Sequence, residues 1–170
     1  TLIDFDDPGL LVLPYHRTLG DMPPSTLAAV CDKLQELFEV NAFTSQLPTP
    51  QALEEAVAMH REGVCLGVMG LEDDRAYILT LRAGKTKEEL RALPGGAFLH
   101  EFEGWVLQEA VIEPVLGSAT GTHLTYMHDP VEVWDSIIEG RQQMGFFLRS
   151  FPMDLFQALV STGQRLPRKS

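Results

Sequence analysis

A histidine and an arginine stand side by side near the start of the chain, and together they can bind an anion. Tyr15, His16 and Arg17 follow the apolar run Leu10–Leu13, which has the composition of a buried strand. Ligand-binding groups of α/β proteins cluster where strands end. Arginine offers a planar fork of donors to a carboxylate or phosphate, and histidine can exchange a proton with a ligand. The sequence therefore predicts an anion-binding site at the end of this strand.

Two more positions have polar groups that can meet an anion. Lys169 and Ser170 follow a proline, where a cation and a hydroxyl can hold a phosphate; no glycine-rich loop precedes them, so they do not form a P-loop. His128 stands between a predicted strand and a predicted helix, where its ring can line a pocket. Structural roles remain as alternatives, since Arg17 can pair with a surface carboxylate and His16 can bond a nearby carbonyl.

The sequence assigns neither a catalytic residue nor a metal site. None of its serines and threonines stands in a context that activates a nucleophile. His123 and His128 lie five residues apart across a strand end, a spacing that points their rings to opposite faces of a regular strand. His100 lacks the second histidine of a zinc-binding helix. No reaction can therefore be assigned from a motif, and we predict no metal ligands.

Composition disfavours two classes of partner. The 170 residues include 13 basic and 24 acidic side chains, a net charge of −11, so a broad surface for nucleic acid is not expected. No stretch approaches the roughly 20 apolar residues that cross a membrane, and the acidic start is unlike a signal peptide. Cys31 and Cys65 lie in apolar patterns and are too few for a disulfide framework, which predicts buried free thiols in a cytoplasmic protein.

Apolar periodicity and capping residues predict the elements of the first two thirds of the chain. Residues 25–39 have the clearest amphipathic pattern, with Ser25 as the cap and Cys31 on the buried face. Thr49, followed by a proline, starts a second helix that ends at Gly63. The other predicted elements are a strand at 40–46, a hairpin of strands 64–69 and 75–81, a short helix before Pro94 and a longer helix over 103–116.

The last third alternates strand and helix. Strand 123–127 precedes a helix that Asp129 caps and Gly140 ends, and strand 144–148 precedes a helix that opens at Pro152, with Gly163 beyond its end. Connections this short predict a parallel strand pair with a right-handed crossover. We therefore predict a single α/β or α+β domain over residues 1–170, with a mixed sheet of about six strands, helices packed on it and a C-terminal βαβα unit.

Motifs at both ends of the chain resemble those of a known family. Leu11-Val-Leu-Pro-Tyr-His-Arg17 is similar to its Leu-Pro-Tyr-His-Arg motif, Tyr126-Met-His-Asp129 to its Tyr-x-His-Asp junction, and Leu166-Pro-Arg-Lys-Ser170 to its final Met-Pro-x-Lys-Ser. The family is a large bacterial and archaeal one, the domain of unknown function numbered 1015. The chain departs from it in Leu166, which replaces methionine, and in Leu148-Arg-Ser-Phe-Pro152, one residue longer than the family's Leu-x-x-Pro.

The resemblance implies a place for this chain in a larger protein. Whole family members are more than twice as long and have an N-terminal Asp-Gly-His-His-Arg motif, similar to the ParB, sulfiredoxin and free-serine-kinase superfamily. This chain is then a C-terminal fragment whose partner is the missing N-terminal domain, and the full-length protein is a small-molecule phosphotransferase that uses ATP or ADP with Mg²⁺. A non-catalytic module that binds a small anionic ligand or regulates is the alternative, and a ParB-like nucleic-acid role is a second alternative.

Overall fold

The computed structural model describes residues 12–44, 48–72 and 75–163. The strands are β1 His16–Leu19, β2 Phe38–Ala42, β3 Cys65–Met69, β4 Ala76–Leu81, β5 Leu124–Met127 and β6 Met144–Phe147. The helices are α1 Pro24–Leu37, α2 Pro50–Met59, α3 Lys85–Ala92, α4 Gly96–Leu99, α5 Glu103–Val106, α6 Glu113–Leu116, α7 Thr120–His123, α8 Pro130–Ile138 and α9 Met153–Ser161. A π-helical segment, Leu107–Ile112, joins α5 to α6, and together the three form the 103–116 helix. A 3₁₀ turn, Gly117–Ala119, follows it.

The six strands form one sheet in the order β2-β4-β3-β6-β1-β5. Every pairing in the described part of the chain is antiparallel. The predicted class, about six strands with helices packed on them, is confirmed. Because the pairs are antiparallel, the fold is α+β, one of the two predicted classes. The predicted parallel pair is wrong, because β5 and β6 run in the same direction but both bond to β1, which lies between them.

Side chains alternate between the two faces of the sheet, and helices cover both faces. On one face the 103–116 helix and α1 lie over Leu19, Val68 and Phe146, which belong to the larger core cluster. On the other face α2 and α8 pack over Met69 and Phe147. Strand β1 has neighbours at both edges and helices on both sides, so all four of its residues are buried although three of them are polar.

The first strand starts later than the sequence predicts. Residues 12–15 form no strand, so the predicted strand Leu10–Leu13 is wrong for its described part, residues 12 and 13; positions 10 and 11 lie outside the described residues. Strand β1 instead begins at His16. The predicted position of His16 and Arg17 beyond a strand end is therefore wrong, since both belong to an interior strand whose other neighbours come from the C-terminal third of the chain.

The predicted helices are confirmed with small shifts of their ends. α1, α2, the 103–116 helix, α8 and α9 occupy the predicted ranges, and β3 with β4 forms the predicted hairpin. Ser25 is not the cap of α1, because Pro23 takes the N-cap position and no side chain caps that helix. Cys31 is half-buried at the edge of the core, whereas Cys65 is buried as predicted. The local sequence pattern therefore predicts where the helices lie more accurately than it predicts the residue at which each helix begins.

Asp129 caps α8, as its place before Pro130 predicts. Its Oδ1 accepts a hydrogen bond of 2.9 Å from the Val131 N–H. We expect Asp129→Ala to lower the free energy of unfolding by about 0.5–2 kcal/mol, because a first-turn amide loses its acceptor. Urea unfolding measures this, with Asp129→Asn as the control that keeps an acceptor and stays close to the wild type. Equal losses in the two variants would contradict the capping role.

Candidate functional site, a cavity lined by Arg17

A cavity of about 890 Å³ lies on the face of the sheet that the 103–116 helix covers. Arg17 of β1 and Leu124 and Tyr126 of β5 line it from the sheet, because side chains at these positions share one face. Trp105 and the polar side chains of its helix line it from the opposite side, and Gly117, Ser118, Thr120 and Gly121 contribute a third wall. The volume falls within the range of small-molecule sites in proteins, roughly 300–1,000 Å³.

Arg17 is the basic residue that lines this cavity, and only 1% of it is exposed. Its Nη1 donates a hydrogen bond of 3.2 Å to Gln108 Oε1, and its guanidinium carbon lies 5.4 Å from the centre of the Tyr126 ring. Its Nε has no hydrogen-bond partner among the described residues. Burial lowers the pKa of Arg17 to about 10, while Tyr126 and Glu109 act to raise it, so the side chain is charged at neutral pH.

A glycine allows the helix to lie against the guanidinium. A Cβ at Gly104 would be 3.1 Å from Arg17 Nη2 and 2.8 Å from the Phe102 ring. Contacts of that length require a neighbour to move, so a larger residue here would displace Arg17 or the ring. No described carboxylate lies within ion-pair distance of Arg17. The site therefore holds a fixed, buried cation whose described protein partners leave part of its donor capacity unused.

The π-helical segment arranges the polar residues above Arg17. The Glu113 N–H bonds to the carbonyl oxygen of Gln108, five residues earlier, instead of four as in an α-helix. The wider turn also brings the two side chains together, and Gln108 Nε2 donates a hydrogen bond of 2.8 Å to Glu113 Oε1. Residues five apart do not face each other on a regular α-helix. Gln108 consequently links the buried Arg17 to the exposed Glu113 through two hydrogen bonds.

Two carboxylates, Glu109 and Glu113, lie at the rim of the cavity, and both are exposed. Partial burial raises the pKa of Glu109, the charge of Glu113 raises it further, and Arg17 opposes both effects. The cavity therefore has a positive interior and a negative rim. Between these charged groups its lining includes the aromatic rings of Trp105 and Tyr126.

His16 points to the opposite face of the sheet, away from this cavity. Its Nδ1 accepts a hydrogen bond of 3.1 Å from the Leu148 N–H, so the neutral ring has its proton on Nε2. Nε2 lies 3.3 Å from Glu54 Oε1, outside hydrogen-bond geometry. Burial lowers the pKa of His16 to about 4; the charge of His128 lowers it further and that of Asp129 raises it. His16 and Arg17 therefore do not form the joint site that the sequence predicts.

Tyr15 and His128 form a separate cluster beside the edge strand β5. Their ring centres are 4.0 Å apart, and His128 Nδ1 lies 3.0 Å from the Pro14 carbonyl oxygen. The Tyr15 ring is also 6.2 Å from the ring of Tyr126, which in turn contacts Arg17. Tyr126 thus connects this cluster to the cavity, although neither Tyr15 nor His128 lines it. The remaining candidates, Lys169 and Ser170, lie outside the described residues.

Sequence reasoning missed most of the residues that surround Arg17. Trp105, Gln108, Glu109 and Tyr126 come from two segments more than 85 residues away along the chain. One local signal was present: the pair Gln108-Glu109 interrupts an otherwise apolar helix pattern. A polar interruption of a buried helix face indicates a polar cavity or a partner, but it does not say which strand lies opposite.

The fold and the cavity define an α+β domain with a charged cavity that opens to solvent. No family model matches the chain, and no curated protein and no solved structure matches it. The resemblance to the domain of unknown function numbered 1015 therefore stays a prediction. Within residues 12–44, 48–72 and 75–163, no three His, Cys, Asp or Glu side chains are grouped as metal ligands. No helix of that part of the chain is long and apolar enough to span a bilayer.

Proposed function

We propose that this domain binds a small organic monoanion whose carboxylate meets Arg17 inside the cavity. The observation that supports this most directly is a charged guanidinium, 1% exposed, whose Nε has no partner among the described residues. A buried charge with unused donors raises the free energy of the unliganded protein. A bound carboxylate would accept charge-assisted hydrogen bonds worth roughly 1.5–3 kcal/mol each.

The walls of the cavity suit the apolar body of such a ligand. Trp105 and Tyr126 present aromatic surface, and Leu99 and Leu124 present aliphatic surface, beside the single guanidinium. Small-molecule sites commonly combine a mainly apolar lining with a few polar groups that fix orientation. The single buried cation favours one carboxylate over a phosphate dianion, which would bring a second negative charge toward the acidic rim.

This proposal corresponds to the binding-module alternative of the sequence analysis. The phosphotransferase alternative, with ATP or ADP and Mg²⁺, depends on the resemblance and on Lys169 and Ser170, which lie outside the described residues. A nucleic-acid role is disfavoured by the net charge of −11. No feature among the described residues favours either of these over the binding of a carboxylate.

We expect Arg17→Met to weaken the binding of a carboxylate probe at least about tenfold without lowering the free energy of unfolding. The loss follows from the missing charge-assisted bonds. Stability should be kept, because Arg17 has no described ion-pair partner, so the substitution removes a buried charge and leaves no buried carboxylate unpaired. NMR titration with butanoate and pentanoate measures affinity, and urea unfolding measures stability.

The matched control is Arg141→Met, which removes the same charge from an exposed arginine paired with Glu139. That variant should bind the probes like the wild type. Unchanged affinity in Arg17→Met, or an equal loss in both variants, would contradict the proposal. The comparison separates a role of the Arg17 guanidinium from a general effect of net charge.

A further inference from the structure

We infer that the ligand of this cavity is zwitterionic, an aminocarboxylate whose carboxylate meets Arg17 and whose ammonium meets the rim formed by Glu109 and Glu113. The inference rests on the proposed function and names the class of ligand. It is motivated by the arrangement of charge in the cavity, where one buried cation and two carboxylates lie at different depths.

The rim lacks a described cation that would balance its two carboxylates. Glu113 accepts a hydrogen bond from the neutral amide of Gln108, and its charge acts to raise the pKa of Glu109. Arg17 acts on Glu109 only at a distance, since the two form no ion pair. A ligand ammonium between the two carboxylates would relieve their repulsion, whereas a second ligand carboxylate would increase it.

The distance between the two charged ends limits the length of the ligand. Arg17 Nη1 and Glu113 Oε1 are joined through the side-chain amide of Gln108 by hydrogen bonds of 3.2 Å and 2.8 Å. One amide group between two such bonds places the two atoms within about 9 Å of each other. Charge-assisted hydrogen bonds of about 2.8 Å at each end leave at most roughly 3–4 Å between the charged atoms of the ligand. Amino acids with one to three carbons between the charged groups fit that span.

The unpaired Nε of Arg17 gives the inference a second, independent observation. It belongs to a side chain that is 1% exposed and that lines the same cavity as the rim carboxylates. Acidic residues alone would indicate only a solvated surface. Together with a buried guanidinium that has a free donor, they define two ends of opposite charge in one cavity of about 890 Å³.

The test compares probes that differ only in their charges. Butanoate, 2-aminobutanoate, 4-aminobutanoate and the dianion glutarate are titrated by NMR into the wild type, Arg17→Met and the double variant Glu109→Gln/Glu113→Gln. We expect at least one aminobutanoate to bind the wild type about tenfold more tightly than butanoate, and glutarate to bind no more tightly. The rim double variant should lose this gain and keep its affinity for butanoate within about twofold.

A control double variant, Glu62→Gln/Glu132→Gln, removes the same charge from exposed positions outside the cavity and should keep the gain. If butanoate binds through Arg17 and neither aminobutanoate binds more tightly than butanoate, the zwitterion inference is overturned and the proposed function stands. If no probe binds, or if Arg17→Met binds the probes as tightly as the wild type does, the proposed function itself is wrong.

Discussion

Replacing Arg149 with methionine should lower the free energy of unfolding by about 3–5 kcal/mol, because it would leave the buried Glu103 without its partner. Glu103 is 1% exposed, and both Nε and Nη2 of Arg149 donate to its Oε1, the Nε bond being 2.7 Å long. Arg149 Nη1 also donates to the His60 carbonyl oxygen at 2.6 Å, and Nη2 donates to that of Gly63 at 2.7 Å. One guanidinium thus joins the chain after β6, the start of the 103–116 helix and the loop before β3.

Burial raises the pKa of Glu103, and Arg149 opposes that rise by its charge and its hydrogen bonds. Without the guanidinium, the buried carboxyl would keep only its backbone hydrogen bonds with Cys65 and Glu103, and would have to accept a proton or remain charged without a cation beside it. Urea unfolding of Arg149→Met at neutral pH measures the loss. Arg141→Met, which breaks the exposed pair with Glu139, should cost less than about 1 kcal/mol. A loss in Arg149→Met no larger than in this control would show that the pair does not stabilise the fold.

The second large effect is a dependence of stability on pH that His16 produces. Burial lowers the pKa of His16 in the folded protein to about 4, from an ordinary value of 6.5. As the pH falls below 6.5, the unfolded chain takes up a proton that the folded protein refuses until about pH 4. We therefore expect the folded state to lose about 3 kcal/mol between pH 7.5 and 4, and almost none through this group above pH 7.5.

A matched variant isolates this contribution. His16→Asn keeps an acceptor near the Leu148 N–H but takes up no proton in this range, and the other groups facing the site, Glu54, His128 and Asp129, are unchanged. Unfolding free energies of both proteins are measured by denaturant between pH 7.5 and pH 4. The wild type should lose about 3 kcal/mol more than the variant over that interval. Parallel curves would mean that the imidazole is protonated in the folded protein.

The helices are predictable because their signals are local. In α1, α2 and α8 a proline in the first turn and apolar residues at helical spacing lie within one short segment. Strand β1 lacks such signals. Its residues, His16 to Leu19, become a strand because β5 and β6 pair with both of its edges, and those strands follow more than 100 residues later. An apolar run nearby, Leu10–Leu13, has the more strand-like sequence, but its described residues, 12 and 13, form no strand.

Prediction of the site fails for a similar reason. The motif Tyr15-His16-Arg17 does contain the buried cation of the cavity, but alternation along a strand sends His16 and Arg17 to opposite faces. A pair of adjacent residues therefore belongs to two different environments, a histidine packed under α2 and an arginine under the 103–116 helix. The sequence indicates which residues have suitable chemistry, whereas the sheet order decides which of them share a cavity.

The π-helical segment also means that the chain can lose one residue here without moving the walls of the cavity. A π-turn holds one residue more than an α-turn, so deleting one of residues 110–112 would restore α-helical winding and leave α6 in nearly the same orientation relative to α5. Gln108 and Glu113 would then be four residues apart and would still face each other, and Leu116 would stay in the core. Sequences descended from a common ancestor with this chain can therefore differ in length by one residue in this helix and keep both rim positions.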